Sequence, residues 1–318
     1  MTPTQLRAFA AVVRLGSVKE AAAELRVSES AVSLNIGQLR KELGDRLFTR
    51  TAAGLAFTPG GLRLASRGAE LLGLQDRTII EVGEAARGRR LLRLAASSLF
   101  AEHAAPGLIE LFAARAADLD VELSVRSPDQ FNTVLLTRSA DIAIGPEPPM
   151  LDPSVISRSI MKLQVVLVVG PDHPLATGTA SQHQLREQTW LLGPSAASEF
   201  GTVPSMLRRL AVPDDRQQIF QSHAAAIEEA KRNLGVAPVL SFAVAQDLAQ
   251  GQLVRVSGPH TRVDGVWHAL TLAERGTPTA AAELARFAAT PRAIQAMVRG
   301  RGVHVGHFKP AIHVTLWS

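Results

Sequence analysis

The sequence predicts a two-lobed α/β region preceded by a small all-α head with a β wing and a long linker helix. Three observations predict it. Residues 17–43 show helical periodicity on both sides of a tight turn. Between Pro59 and about Arg87 nothing breaks a helix decisively. From Leu91 onward, short apolar runs alternate with helical stretches, which implies βαβ units and a mostly parallel sheet. A chain of 318 residues exceeds the usual single-domain size, in keeping with separate units.

In the head, Ser17 followed by Glu20 reads as a capping box at a helix start. Ala21, Ala22 and Leu25 then form an apolar stripe. Arg26-Val27-Ser28 makes the turn, with Val27 as the expected buried plug and Ser28 as the next N-cap. In the second helix Val32, Ile36, Leu39 and Leu43 recur at three- and four-residue steps and are expected to face the core. Its opposite face carries Ser30, Ser33, Leu34 and Gly37. Small side chains let a helix approach base edges in a major groove, although a plain helical hairpin facing water would show the same pattern. Gly44 can end this helix, and Gly54 can turn a two-stranded wing. Residues 1–90 hold 14 Lys and Arg against 9 Asp and Glu, whereas residues 91–318 balance 20 against 20. All the excess positive charge of +5 therefore sits at the end that reads as DNA-binding.

The run AVSLNIGQLRKELGDRLFTRT, continued by LAFTPGG, resembles the winged helix-turn-helix of the LysR-type transcriptional regulators. The resemblance, with the helix pattern, implies contact with double-stranded DNA through Ser28, Glu29, Ser30, Ser33, Leu34, Arg40 and Arg50. The chain departs from the family at Leu34 and Gly37, where many members carry Arg. It departs again at Ala52-Ala53, which replace the usual basic residues of the wing tip.

The linker follows. Thr58 is an N-cap, and Pro59 sits at the first helical position, where a missing amide costs nothing. Leu62, Ala65, Ala69, Leu72, Ile79 and Val82 mark an apolar side. Roughly 29 residues make a rod of about 43 Å. One small domain cannot cover such a rod, so pairing with a second copy is expected, against the alternative of packing within its own chain. The resemblance implies the same, a dimer through this helix and a tetramer beyond it. Arg87-Gly88-Arg89-Arg90 reads as a solvated hinge.

The α/β region opens with a strand over Leu91–Ala96 and one helix from Ser97-Ser98 to about Ala116. A strand over Val121–Val125, a helix over Asp129–Thr137 and a strand over Asp141–Gly145 complete a first set. A second set runs through Leu163–Gly170, Thr189–Leu192, Ala224–Arg232, Val236–Leu240, Phe242–Gln250 and Leu253–Val256. Val266–Leu272 and a helix over Thr279–Thr290 return to the first. The stretches ADIAIG, VVGPDHPLA and LGVAPVL resemble the effector-binding domain of the same family, whose two lobes are periplasmic-binding-protein-like. The expected organisation is a DNA-binding domain at 1–58, linker helix and hinge at 59–90, effector domain at 91–298 and a tail at 299–318. Where the family usually has Gly, this chain has Asn233, the next-best residue for a left-handed cap.

Ser97 and Ser98 lie between a strand's carboxyl end and a helix start, where ligands of open α/β sheets sit. Helix amides there favour an anion such as a carboxylate. The resemblance extends the effector set to Ser127, Ser195 and His223, with Leu99 where many members have Thr. Each has a plainer reading: an N-cap for the serines at 97 and 98, a turn for Ser127 before Pro128, a half-buried ring for His223.

The absence of Cys excludes disulfides and thiolate chemistry. No apolar run reaches the length of a membrane helix, and the first residues lack the pattern of a signal peptide, so the cytoplasm is expected. No Gly-rich phosphate loop, G-x-S-x-G or HExxH occurs, so neither an enzyme nor a cofactor is expected. His304, His307 and His313 in the tail have no acidic residue or Cys among them, and no metal site is expected. A solute-binding protein of a transport system is the alternative reading of the α/β region; the basic front and the missing export signal argue against it.

Overall fold

The computed structural model describes residues 1–51, 54–86, 88, 90–116, 118–273 and 279–299, with only the backbone described at 50, 51, 54, 80, 81, 84 and 85. The tail histidines, the wing tip Ala52-Ala53 and the hinge residues Arg87 and Arg89 lie outside the described residues. Two compact units make up the chain: Met1–Arg87 with Leu136–Ser139, and Gly88–Leu135 with Ala140–Ser318.

The first unit begins with α1 (Pro3–Leu15), which Thr2 and Gln5 cap reciprocally. Helix α2 (Val18–Leu25) is capped by Ser17, and α3 (Glu29–Leu43) by Ser28. Gly44 ends α3 with φ 63°, a left-handed conformation that costs glycine nothing. Phe9, Val12, Ala21, Ala22, Val32, Ile36, Leu39, Leu47 and Phe48 close one core beneath these helices. Two expectations fail at its margin. Val27 is 48% exposed and Leu43 is 43% exposed, so neither is a core residue. Arg26 makes the turn in the left-handed region, and the buried side chains of α2 are Val18, Ala21 and Ala22 instead. Leu43 lies in the last turn of α3, beyond the reach of the core below Leu39.

Strands β1 (Phe48–Thr51) and β2 (Gly54–Phe57) pair antiparallel as the wing. The linker helix α4 (Pro59–Ala85) follows, 27 residues long, a rod of about 40 Å. Asp45 binds wing to linker: its carboxylate accepts hydrogen bonds from Thr58 Oγ1 and Leu47 N, both at 2.6 Å. The Thr58 hydroxyl, then the Leu47 amide, hold its pKa below the usual carboxylate value. Gly61 lets α4 start against the wing, since a Cβ there would stand 1.9 Å from the Leu47 carbonyl. Leu64 and Ala65 pack on the head's core. Leu62, Leu71, Leu74, Ile79 and Val82 are exposed.

The second unit is built on a seven-stranded sheet. Its strands are β3 (Arg90–Ala96), β4 (Leu119–Val125), β5 (Ile142–Gly145), β6 (Val155–Val169), β9 (Ala237–Leu240), β10 (Val254–Arg255) and β11 (Arg262–Leu272), in the order β10-β6-β11-β5-β3-β4 with β9 also on β6. Strands β7 (Trp190–Leu192) and β8 (Gln217–Ile219) form a separate parallel pair. The expected mostly parallel sheet is corrected here. Only β3 pairs parallel with its neighbours β4 and β5, whereas β6 runs antiparallel to β9, β10 and β11.

The long strands β6 and β11 explain the mixture. They pass through both lobes as one antiparallel ribbon, and the first lobe's sheet joins β11 at His268–Leu270. Between Trp267 and His268 the partner jumps from Met161 to Ser159, a bulge that bends the ribbon where the lobes part. Trp267 is buried there against Phe100, edge to face at 5.0 Å.

The helix expected from Ser97 to about Ala116 is two helices, α5 (Ser98–His103) and α6 (Ala105–Ala113). Pro106 accounts for the break, because its ring clashes with the carbonyl four residues back. The helix expected over Asp129–Thr137 is α7 (Phe131–Leu136) behind a 3-10 turn at Pro128–Gln130. Helices α8 (Gln182–Glu187), α9 (Thr202–Leu210), α10 (His223–Lys231), α11 (Ala245–Ala249), α12 (Thr279–Ala288) and α13 (Pro291–Arg299) complete the fold. Asn233 takes the left-handed cap after α10 at φ 64°. The PDHPLA stretch is a structural turn, in which buried His173 accepts from Leu175 N through Nδ1 at 3.1 Å, and burial lowers its pKa.

Candidate DNA-reading helix and interlobe site

On α3 the core positions Val32, Ile36 and Leu39 leave the opposite face bare. Ser28, Glu29, Ser30, Ser33 and Leu34 are all exposed, Leu34 to 64%. Ser28 is the N-cap, and its hydroxyl lies 2.9 Å from that of Ser30. Seven residues after Leu34 and four after Gly37, Lys41 falls on the same exposed face, a cation the residue-type argument passed over. Arg40 stands apart. Its guanidinium donates to the Phe48 carbonyl at 2.8 Å and lies 4.7 Å from the centre of the Phe48 ring. It braces the wing against α3. Arg50 lies in β1, described there by its backbone.

In the second unit, β3 ends at Ala96 and α5 starts at Ser98. Ser97 N donates to the Ile144 carbonyl at 3.0 Å. The Ser97 hydroxyl is buried without a hydrogen-bond partner among the described residues. Gly145 makes room for it, since a Cβ there would stand 2.9 Å from Ser97 Oγ. Ser98 is half-buried on the first turn of α5. With six residues, α5 supplies a far smaller N-terminal charge than the long helix the sequence suggested. Ser127 donates to the Asp129 carboxylate and so closes its own turn, the plainer of its two readings.

Ser195 and His223, by contrast, are brought together. His223 is 4% exposed, and its Nε2 lies 2.9 Å from Ser195 Oγ. Nδ1 lies 2.7 Å from Glu102 Oε2 on α5 of the first lobe. In the neutral ring Nδ1–H donates to the carboxylate and Nε2 accepts from the serine. Glu102 also accepts from the backbone amides of His223 at 2.9 Å and Ala224 at 2.7 Å. Burial by itself would raise this carboxyl. Hydrogen bonds from the His223 ring and the two amides outweigh burial and hold it at about 2, against an ordinary 4.5. Gly193 leaves space for the ring, because a Cβ there would stand 2.2 Å from His223 Cδ2. The His103 ring packs edge-on against His223 at 5.7 Å.

Glu102, His103 and His223 each offer a ligand atom within 4.8 Å of the others, a spacing compatible with a metal ion. Both ring nitrogens of His223 are already engaged, so an ion would have to replace existing hydrogen bonds. Glu102 and His103 were not singled out by the sequence, although Glu102 stands four residues after Ser98 on the same face of α5.

Family models agree with this architecture. Residues 3–62 match the bacterial regulatory helix-turn-helix protein, lysR family, and residues 85–291 match the LysR substrate binding domain. A protein of Mycobacterium tuberculosis named as an HTH-type transcriptional regulator is 57% identical, with the whole of both chains covered. Two solved structures share the fold at 20% identity. ArgP from Mycobacterium tuberculosis covers 90% of this chain and 97% of its own, with a TM-score of 0.60. Full-length CbnR in complex with its target DNA covers 91% and 100%, with a TM-score of 0.56. With a head built to present α3 and two lobes that meet at Glu102 and His223, the chain belongs to the LysR family of DNA-binding transcriptional regulators and is not an enzyme.

Proposed function

We propose that this regulator is switched by a small anion, a carboxylate or a similar oxyanion, held between the two lobes of the second unit. The observation that carries the reading is the buried Ser97 hydroxyl with no partner among the described residues, at the carboxyl end of β3. Ser98 on the first lobe supplies a further donor, Ser195 and His223, bonded to each other, form the facing side on the second, and Ser127 borders the set. On the DNA side, Ser30, Ser33 and Leu34 meet base edges, Ser28, Glu29, Lys41 and Arg50 lie at the margin, and Arg40 acts by bracing the wing. Residues 1–58 read DNA, 59–90 join and pair the chains, 91–298 sense, and 299–318 are an appended tail. Pairing through the exposed residues of α4 makes a dimer, and dimers associate to a tetramer, in the cytoplasm where the duplex is.

The test is a thermal-shift screen of full-length protein against small organic acids, since a ligand that binds the folded state raises apparent stability. Calorimetry on the active acid follows, with wild type and with Ser97→Ala/Ser98→Ala. Loss of one hydrogen bond to a charged group costs about 1.5–3 kcal/mol, roughly 10- to 150-fold in affinity. Equal binding by the double variant rules the assignment out.

A further inference from the structure

The amides that open α10 are fully assigned, and one of their partners comes from far away. Ser222 caps the helix in the ordinary manner, its hydroxyl accepting from Ala225 N at 3.1 Å. That leaves the first two amides, of His223 and Ala224, without a local acceptor. Both donate to Glu102, which lies 121 residues earlier in the chain and on the other lobe. The His223 ring adds a third donor from the side, and Ser195 holds that ring in place. Two amides at the N-terminus of a nine-residue helix, with an imidazole beside them, form a site for a carboxylate. Here it contains one. The first lobe places Glu102 there with both oxygens used, Oε2 twice and Oε1 once. The Ser97 hydroxyl, five residues before Glu102 at the head of the same helix, is buried with no hydrogen-bond partner among the described residues.

We infer that Glu102 is a resident anion: its carboxylate occupies the anion-binding site at the start of α10, latching lobe to lobe, and an effector's carboxylate binds there by displacing it. The inference rests on the interlobe reading above and deepens it. A tethered carboxylate competes at high effective concentration, so an effector succeeds only by adding contacts that Glu102 lacks. Displacement also breaks the contact that joins the lobes here, which ties occupancy to lobe arrangement.

The experiment removes the resident carboxylate and supplies a free one. Full-length Glu102→Ala should melt at least about 5 °C below wild type. Sodium formate, titrated against sodium chloride at equal ionic strength, should raise the variant's melting temperature saturably towards the wild-type value. Wild type, whose site is filled, should respond alike to both salts. The inference is overturned if formate stabilises the variant no more than it stabilises wild type. Should Glu102→Ala fail to fold, Glu102→Gln decides. Its amide keeps the shape but loses the charge and turns a donor towards donors, so a wild-type melting temperature overturns the inference and a clear fall supports it. Neither measurement uses DNA or the natural effector, so this result and that of the acid screen can fail separately.

Discussion

Ser33 shows how far a single residue can be read. It stands between the core positions Val32 and Ile36, yet its side chain is exposed, because one step along a helix turns the chain by about 100° and carries Ser33 off the line of Val32, Ile36 and Leu39. Ser33→Glu would place a carboxylate against phosphates while leaving the core untouched. Operator binding in a gel-shift assay should fall below detection with the melting temperature changed by less than about 1 °C, since exposed substitutions are nearly neutral for stability. Retained binding would take α3 out of the groove. Glu102 makes the opposite kind of prediction, about stability and pH. Its folded pKa of about 2 is depressed from 4.5. The stabilisation it contributes is therefore complete above pH 4.5 and is lost as pH falls from there towards 2. Because the carboxylate is partly open to water, screening reduces the full value of that shift to about 1–2 kcal/mol. Acid titration of wild type against Glu102→Gln should show the two stabilities converging over that interval; a constant gap would contradict it.

At the scale of elements the linker helix is the informative case. Periodicity drew its apolar side through Ala65 and Leu72 as well as Ile79 and Val82. In the fold that side divides. Ala65 packs on the head's core and Leu72 is half-buried, while Ile79 and Val82 are 62% and 65% exposed. Periodicity marks which residues avoid water; it cannot say whether the cover comes from the same chain or from another. The exposed pair is the better test of pairing. Ile79→Glu/Val82→Glu should reduce the sedimentation coefficient towards that of a smaller species and weaken operator binding, because charges on a buried seam are costly. An unchanged oligomer would move the main contact elsewhere. The break between α5 and α6 is a second case: Pro106 signals it in the sequence, but the apolar run on either side reads as one helix.

For the whole molecule, the division of charge carries the prediction. The excess of +5 lies within residues 1–90, and the remainder is balanced. If a dimer neutralises about six phosphates, the logarithm of DNA affinity should fall against the logarithm of salt concentration with a slope near −5. A titration from low to moderate salt that gives a slope flatter than about −2 would place the binding surface elsewhere.

The sequence by itself determined the parts of this protein whose causes are local. Ser17, Ser28 and Thr58 cap helices because a hydroxyl reaches amides two or three residues on, and Gly44 ends one because it alone lacks a Cβ. The motifs of the head and of the α/β region, contiguous in the chain, were enough to place it in its family. The tertiary structure decided what depends on residues far apart. Strand direction in the mixed sheet comes from β6 and β11 crossing both lobes, and no local pattern encodes which neighbour a strand meets. Arg40 reads as a DNA contact until Phe48 is seen beneath it. Ser195 and His223 were legible as separate turns, but Glu102, which joins them, was not. A hydrogen bond across 121 residues exists only once the ribbon has folded one lobe against the other.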